Sequence, residues 1–270
     1  MKEYRTVKEY RKKGVYLIPN LFTTGNLFSG FYAIISVLNA DYLRAAIAIL
    51  IATVFDFIDG QSARMTKATS RFGIEYDSLA DLVSFGVAPG LLIYTWALSA
   101  YGRIGWVAAF LFVAFGALRL ARFNVQISTV ESKHFVGLPI PAAASVIATL
   151  VLFDHHILRV GQEVRPILIL VTTYVLAFLM VSHFRYRSFK DFRLRDRKPF
   201  HVLSALILLL IVTAAVPQVM LFVFFALYAV SGVAERPILA LIHRLSHKET
   251  PPEPGMEDVE DLEDKELLLK

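Results

Sequence analysis

The chain contains no cysteine in its 270 residues. Disulfides, thiolate metal sites and cysteine nucleophiles are therefore excluded. Charge is also scarce: Asp, Glu, Lys and Arg make up 19% of the residues, against 56% hydrophobic. Mean hydropathy is +0.55. That balance lies outside the range of ordinary soluble domains and reads as an integral membrane protein, with little length left for a soluble domain. Nucleic acid is not an expected partner. The start of the chain carries no small-residue cleavage pattern, so the first apolar span is expected to stay attached.

What the chain does have is a series of apolar runs of about 18 to 25 residues, each long enough to cross a hydrocarbon core of about 30 Å as a helix. Eight such spans are predicted, over about 18 to 38, 43 to 61, 80 to 99, 104 to 123, 139 to 156, 164 to 183, 200 to 216 and 218 to 242. Pro139 and Pro141 shape the start of the fifth, with Gly137 allowing the turn before it. The fold class is all-α and polytopic. Lys and Arg collect in alternate connections: the N-terminus, then Arg64, Lys67 and Arg71, then Arg122 and Lys133, then the run from Arg185 to Lys198. By the positive-inside rule these face the cytoplasm, which puts both termini on that side. Residues 1–17 mix basic residues with Tyr4, Val7, Tyr10 and Tyr16, as an amphipathic segment on the membrane surface would. From residue 243 the composition turns to proline and acid, and a cytoplasmic tail without a core is expected.

Against this apolar background, Asp56, Asp59, Asp77 and Asp81 stand out between the second and third spans. Asp56 and Asp59 are three apart near the cytoplasmic end of the second span; Asp77 and Asp81 are four apart at the start of the third, so each pair shares a helical face. Two antiparallel helices joined by a short connection bring both pairs to one depth. Carboxylates about 4 Å apart repel by about 4 kcal/mol at an effective dielectric near 20. Such a group either holds protons or binds cations, and Mg²⁺ suits a few carboxylates that share its shell with water and phosphate oxygens. Gly60 gives a ligand close access to the backbone, and Ala63 is equally unobtrusive. Arg64, one turn beyond Gly60, suits a bidentate phosphate contact. Gly73 is placed to start the third helix or to admit the ligand a second time.

The stretch from Asp56 to Asp81 reads Asp-Phe-Ile-Asp-Gly-Gln-Ser-Ala-Arg, then eight residues, then Gly-Ile-Glu-Tyr-Asp-Ser-Leu-Ala-Asp. It resembles the signature of the CDP-alcohol phosphatidyltransferases at every fixed position, a specific match of eight residues at fixed spacing. The resemblance implies a six-helix membrane domain over 18–199, with two additional helices over 200–242. That domain would join the phosphate of CDP-diacylglycerol to an acceptor hydroxyl and release CMP. It implies two Mg²⁺ or Mn²⁺ ions held by Asp56, Asp59, Asp77 and Asp81, with Asp81 also the base that takes the acceptor's proton. It implies contact of Gly60, Ala63, Arg64, Ser70 and Gly73 with the CDP-lipid, and "IPNLFTTGN" adds Asn20, Thr23 and Asn26. A homodimer in the cytoplasmic membrane is implied as well.

The signature does not choose the acceptor. "RLARFNVQ" at 119 to 126, "HFVGLPIPAAAS" at 134 to 145 and the "PNLFTTGNLFSGF" start resemble segments of the membrane-embedded, serine-using branch of the family in bacteria and archaea. The implied acceptor is L-serine. Arg119, Arg122 and Asn124 lie at the cytoplasmic end of the fourth span, and Arg122 and Asn124 are the candidates for orienting serine's carboxylate and ammonium. The alternatives are glycerol phosphate or an inositol phosphate as acceptor, which require further phosphate-binding cations, or a cation transporter whose aspartates line an ion path. His155 and His156 fall on the side opposite the aspartates, where an interfacial role fits.

Overall fold

The structure, a computed structural model, describes residues 17–66, 70–127, 135–155, 164–186 and 215–246. The amphipathic segment expected before residue 17, most of the seventh span (200–214) and the tail beyond 246 lie outside these residues. The described chain is helical, apart from one two-residue pairing. By its contacts it divides into Met1–Gly232 and Val233–Lys270.

Helix α1 (Leu17–Leu38) and helix α2 (Tyr42–Thr66) form a hairpin. The turn between them places Ala40 at φ 57°. Asp41 then accepts from the Arg44 amide at 3.0 Å, the side-chain cap that starts α2. Ala33, Ala45, Ala46, Ala48 and Ala52 are all buried in the core. Small side chains let helix backbones approach closely, the usual means of association where lipid removes the hydrophobic drive between helices.

Helix α2 continues beyond the second predicted span to Thr66, and Asp56 and Asp59 lie within it. Helix α3 (Arg71–Asp81) likewise starts well before residue 80, capped by Ser70, whose Oγ accepts from the Gly73 amide at 2.9 Å. Gly73 thus sits in the first turn rather than at the boundary. Beyond Asp81 the rod runs on through a π-helical turn (Leu82–Val87), α4 (Ala88–Ile93) and a second π turn (Tyr94–Leu98). Pro89 has no N–H to give the preceding turn, and the widened turn before it lets the helix continue.

Helix α5 (Gly102–Ile127), α6 (Ile140–Phe153), α7 (Val164–Val181) and α8 (Pro217–Ser246) follow. The first three correspond to the fourth to sixth predicted spans within a few residues. Phe135–Val136 pairs antiparallel with Arg185–Tyr186 and fastens the α5–α6 connection to the chain leaving α7. Gly137, at φ 84°, donates to Phe184 O at 2.8 Å, and Leu138 donates to Leu179 O at 3.0 Å. Pro139 then precedes α6 in an extended conformation, as the sequence led one to expect.

Large apolar side chains cover the outside: Phe28 on α1 is 68% exposed, Phe57 on α2 66%, Phe110 on α5 59% and Phe178 on α7 63%. In water such a surface would be a severe aggregation liability. Facing acyl chains it is the expected exterior, and the helices are those of a membrane protein.

Candidate active site

The site begins where α1 crosses the α2–α3 pair. Asp56 and Asp59 project from α2 and Asp77 from α3, and one carboxylate oxygen of each lies within 4.8 Å of the others. At that separation each pair of ionised carboxylates repels by about 3 kcal/mol at an effective dielectric near 20. Asp59 is 4% exposed. Thr23 Oγ1 donates to Asp59 Oδ2 at 3.0 Å, which orients the carboxylate without supplying positive charge. Asp77 Oδ1 is buried and has no hydrogen-bond partner. A buried anionic oxygen with no donor, beside two more carboxylates, fits a divalent cation: the ligand set is all oxygen, as Mg²⁺ or Mn²⁺ prefers.

Asp81 is held differently. It lies one turn beyond Asp77 and is only 7% exposed, and it does not belong to the three-carboxylate group. Asn26 Nδ2 donates to its Oδ1 at 2.9 Å. The four aspartates therefore divide into a cluster of three and a separately anchored fourth. Equal spacing in the sequence does not give them equal surroundings, because α1 lies against Asp81 and covers it.

Thr23 and Asn26, three residues apart on α1, thus both reach carboxylates. Asn20 stands beside the start of α3: a Cβ built on Gly73 would lie 3.1 Å from Ser70 Oγ and 3.5 Å from Asn20 Oδ1. Thr24 Oγ1 and Tyr76 Oη share a hydrogen bond of 3.0 Å, a further α1–α3 tie that sequence reading missed. Asn20, Ser70 and Gly73 therefore form one neighbourhood at the start of α3. Gly60, Ala63 and Arg64 continue along α2 from Asp59; the side chains of Ala63 and Arg64 lie outside the described residues.

On the acceptor side the structure separates residues that the sequence grouped together. Arg122 donates through Nη1 to Val181 O at 3.1 Å and through Nη2 to Met180 O at 3.3 Å, satisfying carbonyls at the end of α7 that have no intrahelical partner. Asn124 Nδ2 donates to Ser78 Oγ at 2.9 Å and ties the end of α5 to α3 between Asp77 and Asp81. Arg119, one turn before Arg122, is instead buried at 8% exposure, and its Nε has no hydrogen-bond partner. Its charge neighbours are Asp81, Arg122, Tyr228 and Asp56. Tyr228, on α8, had no signal in the sequence beyond being one aromatic among many. His155 is exposed, and His156 lies outside the described residues.

The chain is similar to known proteins of one family. The CDP-alcohol phosphatidyltransferase family matches residues 16–179. The chain is 40% identical over 224 residues to the CDP-diacylglycerol–serine O-phosphatidyltransferase of Helicobacter pylori (strain ATCC 700392 / 26695), covering 81% of this chain and 90% of that one. It is 38% identical over 173 residues to the protein of the same name from Bacillus subtilis (strain 168), covering 64% and 91%. It is 37% identical over 171 residues to the archaetidylserine synthase of Methanothermobacter thermautotrophicus, covering 63% and 69%. The aspartate arrangement and the extent of these matches establish that the chain belongs to the CDP-alcohol phosphatidyltransferase family, whose members use divalent metal ions.

Proposed function

We propose that the protein transfers the phosphatidyl group of CDP-diacylglycerol to the hydroxyl of L-serine, giving phosphatidylserine and CMP. The observation that carries this reading is the three-carboxylate cluster of Asp56, Asp59 and Asp77 beside a separately held, buried Asp81. The names of the relatives support serine as the acceptor.

Asp56, Asp59 and Asp77 would hold two divalent ions, Mg²⁺ or Mn²⁺, with Asp81 completing the ligand set. When bound, the metal supplies charge neutralisation for the diphosphate and for the departing CMP. Asp81 accepts the proton of the serine hydroxyl as its oxygen bonds to the phosphatidyl phosphorus. The bond from that phosphorus to the oxygen of CMP breaks, and CMP leaves with the electron pair. Asn26 keeps Asp81 aimed, and Thr23 keeps Asp59 aimed. Asn20, Thr23, Asn26, Gly60, Ala63, Arg64, Ser70 and Gly73 border the CDP-lipid, with Arg64 adding fixed positive charge. Near the acceptor side, Arg122 supports the fold by holding the end of α7, and Asn124 positions Ser78 between Asp77 and Asp81.

The catalytic domain is the six-helix membrane domain expected over 18–199, and α8 follows it. The active site opens on the cytoplasmic face of the inner membrane. The charge pattern of the connections supports this orientation. A homodimer is the proposed assembly; mass measurement of the purified protein in detergent or nanodiscs checks it.

The test of the function is an acceptor panel: purified protein, CDP-diacylglycerol, Mg²⁺ or Mn²⁺, and serine, glycerol phosphate or inositol phosphate. CMP release and phosphatidylserine formation with serine alone is the expected result. CMP release with a phosphorylated alcohol and none with serine overturns the reading.

A further inference from the structure

Resting on the serine reading, we infer that Arg119, not Arg122, is the cation that receives the acceptor's carboxylate, within a pocket around Asp81 matched to an amino-acid zwitterion. Two buried polar atoms beside Asp81 lack hydrogen-bond partners. One is a donor, Arg119 Nε, and the other an acceptor, Asn26 Oδ1. Asn26 is bound to Asp81 through its other side-chain atom, and Asp81 heads the charges that act on Arg119.

A guanidinium with no ion pair is costly to bury, and an amide oxygen with no donor adds to the cost. Among the described residues Arg119 is the one buried Lys or Arg, and no carboxylate forms an ion pair with it. Such groups persist where a ligand completes them. L-serine offers the complementary set: a carboxylate for Arg119, an ammonium for Asn26 Oδ1 and, on the adjacent carbon, a hydroxyl for Asp81. The planar guanidinium fork matches a carboxylate in a bidentate manner. One buried cation also suits a single carboxylate better than a phosphate dianion, which bears on the choice between serine and phosphorylated acceptors.

Arg122 is less suited to this part, since two of its nitrogens hold the Val181 and Met180 carbonyls. Tyr228 is the neighbour of Arg119 on α8. It lies beyond residues 16–179, where the family match ends.

The test is steady-state kinetics of the full-length protein and of Arg119→Gln and Arg119→Lys, with L-serine and with serinol, which keeps the amine and hydroxyl but lacks the carboxylate. In Arg119→Gln, kcat/KM for serine is expected to fall about 10- to 100-fold, the loss of a charge-assisted hydrogen bond. KM for CDP-diacylglycerol should stay within about threefold, and the preference for serine over serinol should collapse. Arg119→Lys, which keeps the charge but not the fork, should retain part of that preference, and it provides the reading if the glutamine variant does not fold. An unchanged serine-to-serinol ratio in both variants overturns the assignment, as does an equal loss with both acceptors. The wild-type protein tests the underlying function separately. If it transfers only to an alcohol without a carboxylate, the serine reading falls and this assignment falls with it; if it uses serine while the variants keep their preference, only the assignment is wrong.

Discussion

Asn26 holds the continuous helix that begins at α3 twice. Its Nδ2 donates to Asp81 Oδ1 at 2.9 Å, and its backbone carbonyl accepts from Ser84 Oγ, also at 2.9 Å. A single α1 residue therefore fixes both the proposed base and the π turn that follows it. Asn26→Ala removes the first contact and keeps the second. A hydrogen bond to a charged group contributes about 1.5–3 kcal/mol, so kcat should fall about 10- to 100-fold. The thermal midpoint should move little. Rate assays paired with a melting curve check this, and a large midpoint loss with unchanged kcat would contradict it.

Close approach makes a second residue on the same helix sensitive. A Cβ on Gly30 would stand 2.2 Å from Ser84 Oγ and 2.6 Å from Ser84 Cα, so Gly30→Ala must push backbone away. Overpacking of this kind costs about 1–3 kcal/mol. Gly25→Ala meets only the Phe55 ring, at 3.1 Å, which has more room to give. The expected order of thermal midpoints is wild type, Gly25→Ala, then Gly30→Ala, and the activity of the last should fall because Ser84 lies close to Asp81.

Metal dependence should follow the carboxylate geometry. Chelation should abolish transfer, and Mg²⁺ or Mn²⁺ should restore it. Asp59→Asn and Asp77→Asn remove members of the three-oxygen cluster and should leave almost no activity at any metal concentration. Thr23→Val removes only the hydroxyl that orients Asp59. Outer partners of metal ligands typically matter by about 10- to 100-fold, so this variant should recover part of its activity as metal is raised. Titrating metal against initial rate distinguishes the two behaviours.

Much of this site was legible in the sequence because it depends on local periodicity. Apolar runs located the helices, and i,i+3 and i,i+4 spacings placed the aspartates on shared faces. The third predicted span began near residue 80 because Arg71-Phe-Gly-Ile-Glu-Tyr is too polar to look like a membrane span; the helix itself starts at Arg71, close to the expected Gly73, with Ser70 as its cap. Division of the aspartates into three and one depends on where α1 crosses, a tertiary fact that spacing does not encode. Arg119 and Arg122 differ by one turn of the same helix, and only packing shows which is buried and which caps α7. Tyr186 and Tyr228 gave no signal, since their contacts join segments far apart in the chain.

Arg122 should behave as a structural residue. Its two bonds hold the end of α7, and Gly137 packs against the same place: a Cβ there would lie 2.4 Å from Met180 O, on a backbone with φ 84°. Arg122→Gln and Gly137→Ala should both lower the thermal midpoint by several degrees, as a loss of about 1–3 kcal/mol does. Both should leave KM for serine and for CDP-diacylglycerol within about threefold. A selective rise in KM for serine in Arg122→Gln would return that arginine to the acceptor site.

Tyr186 follows the membrane helix α7, and its ring is fully buried, with Oη donating to Ala229 O at 3.0 Å and the ring 5.7 Å from that of Tyr228. Burial first, and Tyr228 second, push its phenol from the ordinary 10.0 up to about 12. The folded protein therefore keeps this proton at pH values where the unfolded chain has released it. The contribution to stability is complete below about pH 10 and is lost as pH rises towards about 12. Tyr186→Phe cannot titrate there, and at neutral pH it lacks only one neutral hydrogen bond, a loss of about 1 kcal/mol. Wild type should therefore be the more stable protein at pH 8, and its advantage should shrink across the alkaline range. Thermal midpoints of the two proteins in the same detergent, from pH 8 to 12, measure the gap directly. A gap that stays constant would mean that the tyrosine hydroxyl holds α8 without its proton being at stake.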